Sequence, residues 1–404
     1  MILWGIIMSY SISHTIKNRG SHWLPALALT ALVAGYSNTS HAGATFKIDD
    51  TKWVSIGAGL RTSFDAKQSA APNGQDWSND FRLDNIRLYM NAQLHKYIKL
   101  EFNTDCQTCS NGGEVRVLDA IGKFEYNPML NLWLGRMLVP AERREMNGPF
   151  YSAVYNIFAN GTPFSPADYN LVIKSDGTSA GSYGRDDGAT FWGAAFDGRL
   201  QYAFGVFKGL RNGANANDNP LYAQRVAYNF LDVEKNPGYY TSGTYYGKGG
   251  DILTLAVANQ YQKNGAGSLL NPANFRGTSV DVLFEKVLPN KGVVTVNGEY
   301  KNYGLSQYRG NLTGFTLFEG DAFDVSGMYL FPQKVGIGNF QPYFRYVNVN
   351  ASTAPARDVY ETGVNYVIDG FNSRVSLSWQ HGDLIAPTNG LDQNSFTLGF
   401  QYQI

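Results

Sequence analysis

Between residues 80 and 137 the chain alternates polar and apolar side chains with a period of two. Arg87, Tyr89, Asn91 and Gln93 share one face, and Ile86, Leu88, Met90, Ala92 and Leu94 share the other. After His95 and Lys96 the alternation resumes, with Lys99, Glu101 and Asn103 set against Ile98, Leu100 and Phe102. Side chains of a strand point alternately to its two faces, so this pattern predicts a hairpin that turns at His95-Lys96. A sheet with one apolar face needs a second layer to bury it, and no amphipathic helix at regular spacing is present to serve. A bilayer can be that layer. Strands of about ten residues, apolar outside and polar inside, joined alternately by short and long connections, are the sequence mark of a transmembrane β-barrel.

The same alternation runs down the chain. Residues 52–64 form a first strand, with Val54, Ile56, Ala58 and Leu60 on one face and Arg61 on the other. Asp119, Lys123 and Glu125 alternate with Leu118, Ala120, Phe124 and Tyr126, and Asn127-Pro128 turns the chain into residues 132–137, where Arg136 is placed inside. Further turns are expected at Asp197-Gly198, residues 289–292 and Asp369-Gly370. A less regular segment containing Asn236-Pro237-Gly238 separates two strands at 222–230 and 251–260. Counting to the last strand, which ends at Ile404, gives about sixteen, an even number that lets the last strand close on the first. The expected fold is therefore all-β: a transmembrane antiparallel β-barrel of about 16 strands, occupying residues 43–404 as one domain.

Composition agrees without being decisive. The 404 residues include 26 Tyr, 24 Phe and 44 Gly, with 16% charged, which suits aromatic girdles and many turns but equally a secreted β-sandwich or β-helix. The aromatics on apolar faces, among them Phe124, Tyr126, Tyr202, Phe204, Phe344, Tyr366 and Trp379, would otherwise need a partner sheet for every face. Basic and acidic residues balance at 33 each, which argues against nucleic acid as a partner. Lys17 and Arg19 precede an apolar run at 23–35, and Ser40-His41-Ala42 fits a small-x-small cleavage site. Residues 1–42 thus read as a cleaved signal peptide, too short in its apolar part for a spanning helix.

Five blocks, in this order, resemble the phosphate-selective porin O and P family: 87–105 (RLYMNAQLHKYIKLEFNTD), 117–126 (VLDAIGKFEY), 132–142 (LWLGRMLVPAE), 184–209 (GRDDGATFWGAAFDGRLQYAFGVFKG) and 361–379 (ETGVNYVIDGFNSRVSLSW). The resemblance implies a sixteen-stranded outer-membrane channel, a homotrimer, whose third external loop folds inward as a basic constriction. Residues 138–186 match that loop in position, and Arg136, Arg143 and Arg144 are the basic residues carried over. The chain departs from the family in ending on Ile404 where Phe is usual.

No dense arginine ladder accompanies the resemblance. By parity the lumen receives Arg87, Lys99, Lys123 and Arg345, but also Glu101, Asp119 and Glu125. A ring of one sign sets ion selectivity, whereas a mixed wall selects weakly. Cys106 and Cys109 are the only cysteines and, in an exported chain, are read as a local disulfide in an external loop. Nothing calls for a metal or another cofactor, and no catalytic set is assembled: His95 sits in a turn, and His381 stands beside Gly382-Asp383 without a nucleophile motif. The expected activity is passive diffusion of small hydrophilic solutes or anions through outer-membrane lipid, possible phosphate preference included. The alternative is a structural sheath or adhesin barrel with a plugged lumen, and an enzyme is the weakest option.

Overall fold

The computed structural model describes residues 43–107, 109, 114–157, 172–173, 179–180, 184–211, 213–306, 319–352, 355–384 and 392–404. The expected signal peptide lies outside them. A short strand β1 (Ala44–Lys47) leads into β2 (Trp53–Lys67), β3 (Ser78–His95), β4 (Ile98–Gln107), β5 (Arg116–Asn127) and β6 (Leu130–Leu138). Then come α1 (Arg143–Asn147) and the two-residue strands β7 (Val172–Ile173) and β8 (Ser179–Ala180). The remaining strands are β9 (Arg185–Ala195), β10 (Leu200–Phe207), β11 (Leu221–Asn229), β12 (Ile252–Gly267), β13 (Pro272–Val287) and β14 (Val293–Gly304). They are followed by β15 (Gly320–Leu330), β16 (Asn339–Ala351), β17 (Arg357–Asp369), β18 (Ser373–Gly382) and β19 (Gln393–Gln403).

Sixteen of these strands, β2 to β6 and β9 to β19, pair antiparallel in sequence order, and β19 pairs with β2. The barrel is closed. Closure leaves no ladder of unpaired amides, which is what a sheet in hydrocarbon requires. One short edge remains where β19 ends, and the chain covers it: Ile404 exchanges both main-chain hydrogen bonds with Ala58, and beyond it β1 pairs with residues 53–56 of β2.

Side-chain burial is inverted relative to a water-soluble sheet. Leu88 and Leu377 are 46% and 56% exposed on the outer wall, while Glu285, Gln341, Asn365 and Arg374 on the inner wall are 0% exposed. Rings pair at both rims. Tyr97–Tyr126, Tyr228–Phe230 and Tyr329–Phe331 lie at the short-turn end, with centroids 5.1, 4.9 and 4.9 Å apart. Phe64–Phe81 and Tyr346–Tyr360 lie at the long-loop end, both at 4.9 Å. These are the two girdles expected of a spanning barrel.

Several strands run longer than the alternation alone suggested, β2 to Lys67 and β12 to Gly267 among them. Six junctions at one end are short: 96–97, 128–129, 196–199, 288–292, 331–338 and 370–372. The seventh, 230–251, is not, and it turns into the barrel.

Candidate functional site

In the third long connection, after β6, residues 139–157 fold into the lumen and are buried there, apart from Tyr151 at the edge. Its root packs on an apolar stretch of inner wall, where Ile121, Trp133, Met137, Val139, Met146 and Phe207 form one cluster. The inner face is therefore not polar all round. Polar strands hold the segment onward to Ile157.

The α1 turn carries Arg143 and Arg144 across the lumen. Arg143 makes a bidentate pair with Glu234 at 2.6 and 2.7 Å and stands 3.4 Å from Asp281 of β13. Arg144 meets Asp324 of β15 at 2.5 Å and Glu299 of β14 at 3.3 Å. Lys301 of β14 reaches back to Glu142 at 2.6 Å and Glu145 at 3.0 Å. Arg225 pairs with Asp281 and donates to the Ala141 carbonyl. Two of the three arginines expected at a basic constriction, Arg143 and Arg144, are thus buried and neutralised by carboxylates.

Three further arginines grip the loop by its backbone. Arg61 donates to the Tyr155 carbonyl at 2.5 Å, Arg374 to that of Ser152 at 2.7 Å, and Arg345 to those of Asn156 and Ile157 at 3.0 and 3.1 Å. Arg345 also binds Asp324 at 2.7 Å and Glu361 at 3.2 Å. A loop without its own ladder leaves carbonyls unsatisfied once buried, and a guanidinium offers five donors to meet them.

On the opposite wall Arg87 pairs with Asp105 at 2.8 Å, Lys99 with Glu125 at 2.6 Å, Lys123 with Glu101, and Asp119 with Arg185 at 2.8 Å. Lys99 and Glu125 keep 33% and 19% side-chain exposure, so this patch of β4 and β5 is one place where charged inner wall meets water. Arg136 requires correction. Trp133 and Asn131 point inward, so Arg136 shares the outward parity of Leu132 and Leu134, where it pairs with Asp187 at 3.3 Å; Lys208 joins Asp187 at 3.1 Å. Cys106 and Cys109 are disulfide-bonded, with Cα atoms 5.6 Å apart, at the long-loop end of β4. Among the described residues no group of three or more His, Cys, Asp or Glu side chains is placed to hold a metal.

Carboxylates outnumber cations around α1, and Glu145 registers the excess: burial, and then Glu142 beside it, push its carboxyl up to about 7 despite Lys301. Ionising a group whose folded pKa is raised costs the folded state. That cost is absent below the ordinary glutamate pKa and complete above about 7. The loop should consequently be held more firmly at pH 5 than at pH 8. Hydrogen exchange of the α1 amides, corrected for intrinsic rate, checks this, and greater protection at pH 8 would refute it.

Residues 230–251 escaped the sequence reading as a functional element. Their only signals were Asn236-Pro237-Gly238 and the lack of alternation. In the structure Glu234, Tyr239, Thr241, Ser242 and Thr244 are buried in the lumen. Tyr239 and Tyr240 stack edgewise or tilted on Trp133, with centroids 5.2 and 5.5 Å away.

No protein-family model and no curated protein sequence matches the chain. Solved structures do. The anion-selective porin from Comamonas acidovorans is similar with a TM-score of 0.56 at 13% identity, over 87% of this chain and 100% of that one. OmpF of Salmonella typhi, in its complex with daunomycin, gives 0.53 at 13% identity over 89% and 100%. The trimer form of OmpT, an outer membrane protein of Vibrio cholerae, gives 0.53 at 14% identity over 88% and 100%. At these identities the likeness is one of fold.

Proposed function

We propose that the chain is an outer-membrane porin, a passive and weakly selective channel for small hydrophilic solutes. One observation carries this reading: a closed sixteen-stranded barrel with an apolar outer wall whose inner wall bears charges of both signs, paired with one another. Such an outer wall is stable only in lipid. The short-turn end faces the periplasm, residues 1–42 are the export signal, and the assembly is a trimer, as in the named OmpT form.

Solutes pass along the β4 and β5 patch, where Lys99, Glu101, Lys123 and Glu125 alternate in sign. Arg143, Arg144 and Arg345 shape the lumen by fixing the loop that narrows it, the Arg87 guanidinium lies 4.7 Å from the Phe150 ring centroid of that loop, and Asp119 is matched on the wall by Arg185. Kinship with the phosphate-selective porins O and P rests on the five ordered blocks. Phosphate preference needs unneutralised cations, and the arginines carried over to the loop are matched by carboxylates. The plugged sheath draws its support from the two connections that occupy the lumen.

Planar-bilayer recording of the purified protein tests the reading. Stepwise current is expected, with a reversal potential in a salt gradient near that of free diffusion and no block by phosphate. Charge reversal at Lys99 and Lys123 together should turn the channel toward cations. Block by micromolar phosphate would replace the general porin with an anion-specific one, and silence would favour the sheath.

A further inference from the structure

The junction between β11 and β12 has no need of its length. Their ladder continues past Asn229, with Phe230 donating to Leu253 and Asp232 to Asp251, both at 2.8 Å. From there a two-residue turn would finish the hairpin, as at 96–97 and 128–129. Residues 233–250 are instead sent up the lumen toward the third connection. Thr241 donates its hydroxyl to the Arg143 carbonyl at 2.9 Å and its amide to that of Met146 at 3.3 Å. Gly243 donates to the Tyr151 carbonyl at 2.8 Å, and Arg143 donates to that of Ser242 at 2.9 Å.

The contact is close enough to select glycine. A Cβ on Gly243 would stand 2.6 Å from the Ala153 amide nitrogen, and one on Gly238, at φ +63°, 2.3 Å from the Trp133 ring. The charged link is the Arg143–Glu234 pair. Arg143 holds the Glu234 carboxyl well below the ordinary range although burial works the other way. Buried pairs of this kind add little net stability and are best suited to fixing one arrangement over another.

We propose that residues 233–250 are a second gate, entering the lumen from the periplasmic end, latched to the third connection through Arg143–Glu234 and the Gly243 contact, and limiting the current. This rests on the channel reading above. The two connections enter from opposite ends and meet in the lumen, so solute flow depends on their contact and not on the inward loop alone. The segment has anchors on two sides: Glu285 accepts from Thr244 and from the amides of Tyr245 and Gly247, and Asn297 donates to Gly243, while toward β6 Tyr239 donates to the Leu138 carbonyl, Tyr240 accepts from the Leu138 amide, and both rings pack on Trp133.

The test compares single-channel conductance of the parent, a barrel with Asn-Gly in place of residues 233–250, and Gly243→Val, each first checked for heat-modifiable gel migration. The shortened barrel should conduct at least about twofold more than the parent, and Gly243→Val should move the same way, because the path is widened rather than recharged. Current through the shortened barrel alone would also support the gate, with the parent as its closed state. Equal conductance in all three overturns the gate and leaves the channel reading standing. No current through parent or shortened barrel overturns the channel reading and the gate with it.

Discussion

Replacing Arg345 by alanine is expected to cost the barrel about 3–5 kcal/mol, because it strips a buried ion network of its central cation. The Arg345 side chain is 2% exposed and serves both flanking strands and a loop at once. Asp324 would retain Arg144, and Glu361 would retain the Tyr343 hydroxyl at 2.6 Å and Gln380 at 2.9 Å. Neither carboxylate would keep enough positive charge to offset its burial. The Asn156 and Ile157 carbonyls would lose their donor as well. Arg345→Lys should recover only part of the loss, since an ammonium cannot reach both carboxylates and both carbonyls. Equilibrium unfolding in urea from lipid vesicles measures the difference. A loss under about 1 kcal/mol would mean that water already solvates these groups.

The barrel was legible because a period of two is a local property. Residues 87–94 and 98–103 reveal it without knowledge of any partner, and tight turns such as Asn127-Pro128 and Asp369-Gly370 punctuate it. Where apolar residues occupy both faces the period fails, and there the reading failed. Leu132, Trp133, Leu134 and Met137 flank Arg136, so nothing local says which way it points; Trp133, committed to Tyr239 and Tyr240, decides that it points outward.

The lumen was legible only as an inventory of charges. Parity could bring Arg345 and Glu361 to the inner wall, but not reveal that Arg143 meets Glu234 across a separation of 91 residues. Nor could it reveal that Arg61 and Arg374 spend their donors on loop carbonyls. Those are tertiary contacts between aperiodic segments, and composition holds no trace of them. Of the arginines that suggested an anion constriction, Arg143 and Arg144 are spent on fixing the loop and Arg136 points outward, so counting cations overstated the field available to a solute.

Leu377→Arg separates a lipid-facing wall from a solvent-facing one. Leu377 lies midway along β18, opposite Val364 of β17 and Leu398 of β19, and points outward. In water an exposed leucine exchanged for arginine is nearly neutral, within about 0.5 kcal/mol. In a bilayer the same change places a guanidinium near the hydrocarbon midplane and should destabilise the barrel by about 2–4 kcal/mol. Tyr360→Arg, on the same outer face at the long-loop rim, should cost no more than about 1 kcal/mol, since there the charge reaches the headgroups. Unfolding of both variants from phosphatidylcholine vesicles gives the two values side by side. A depth-dependent difference follows only if hydrocarbon covers this wall. If Leu377→Arg proved as mild as Tyr360→Arg, the outer face would not be embedded, and the spanning barrel would have to be abandoned together with the channel built on it.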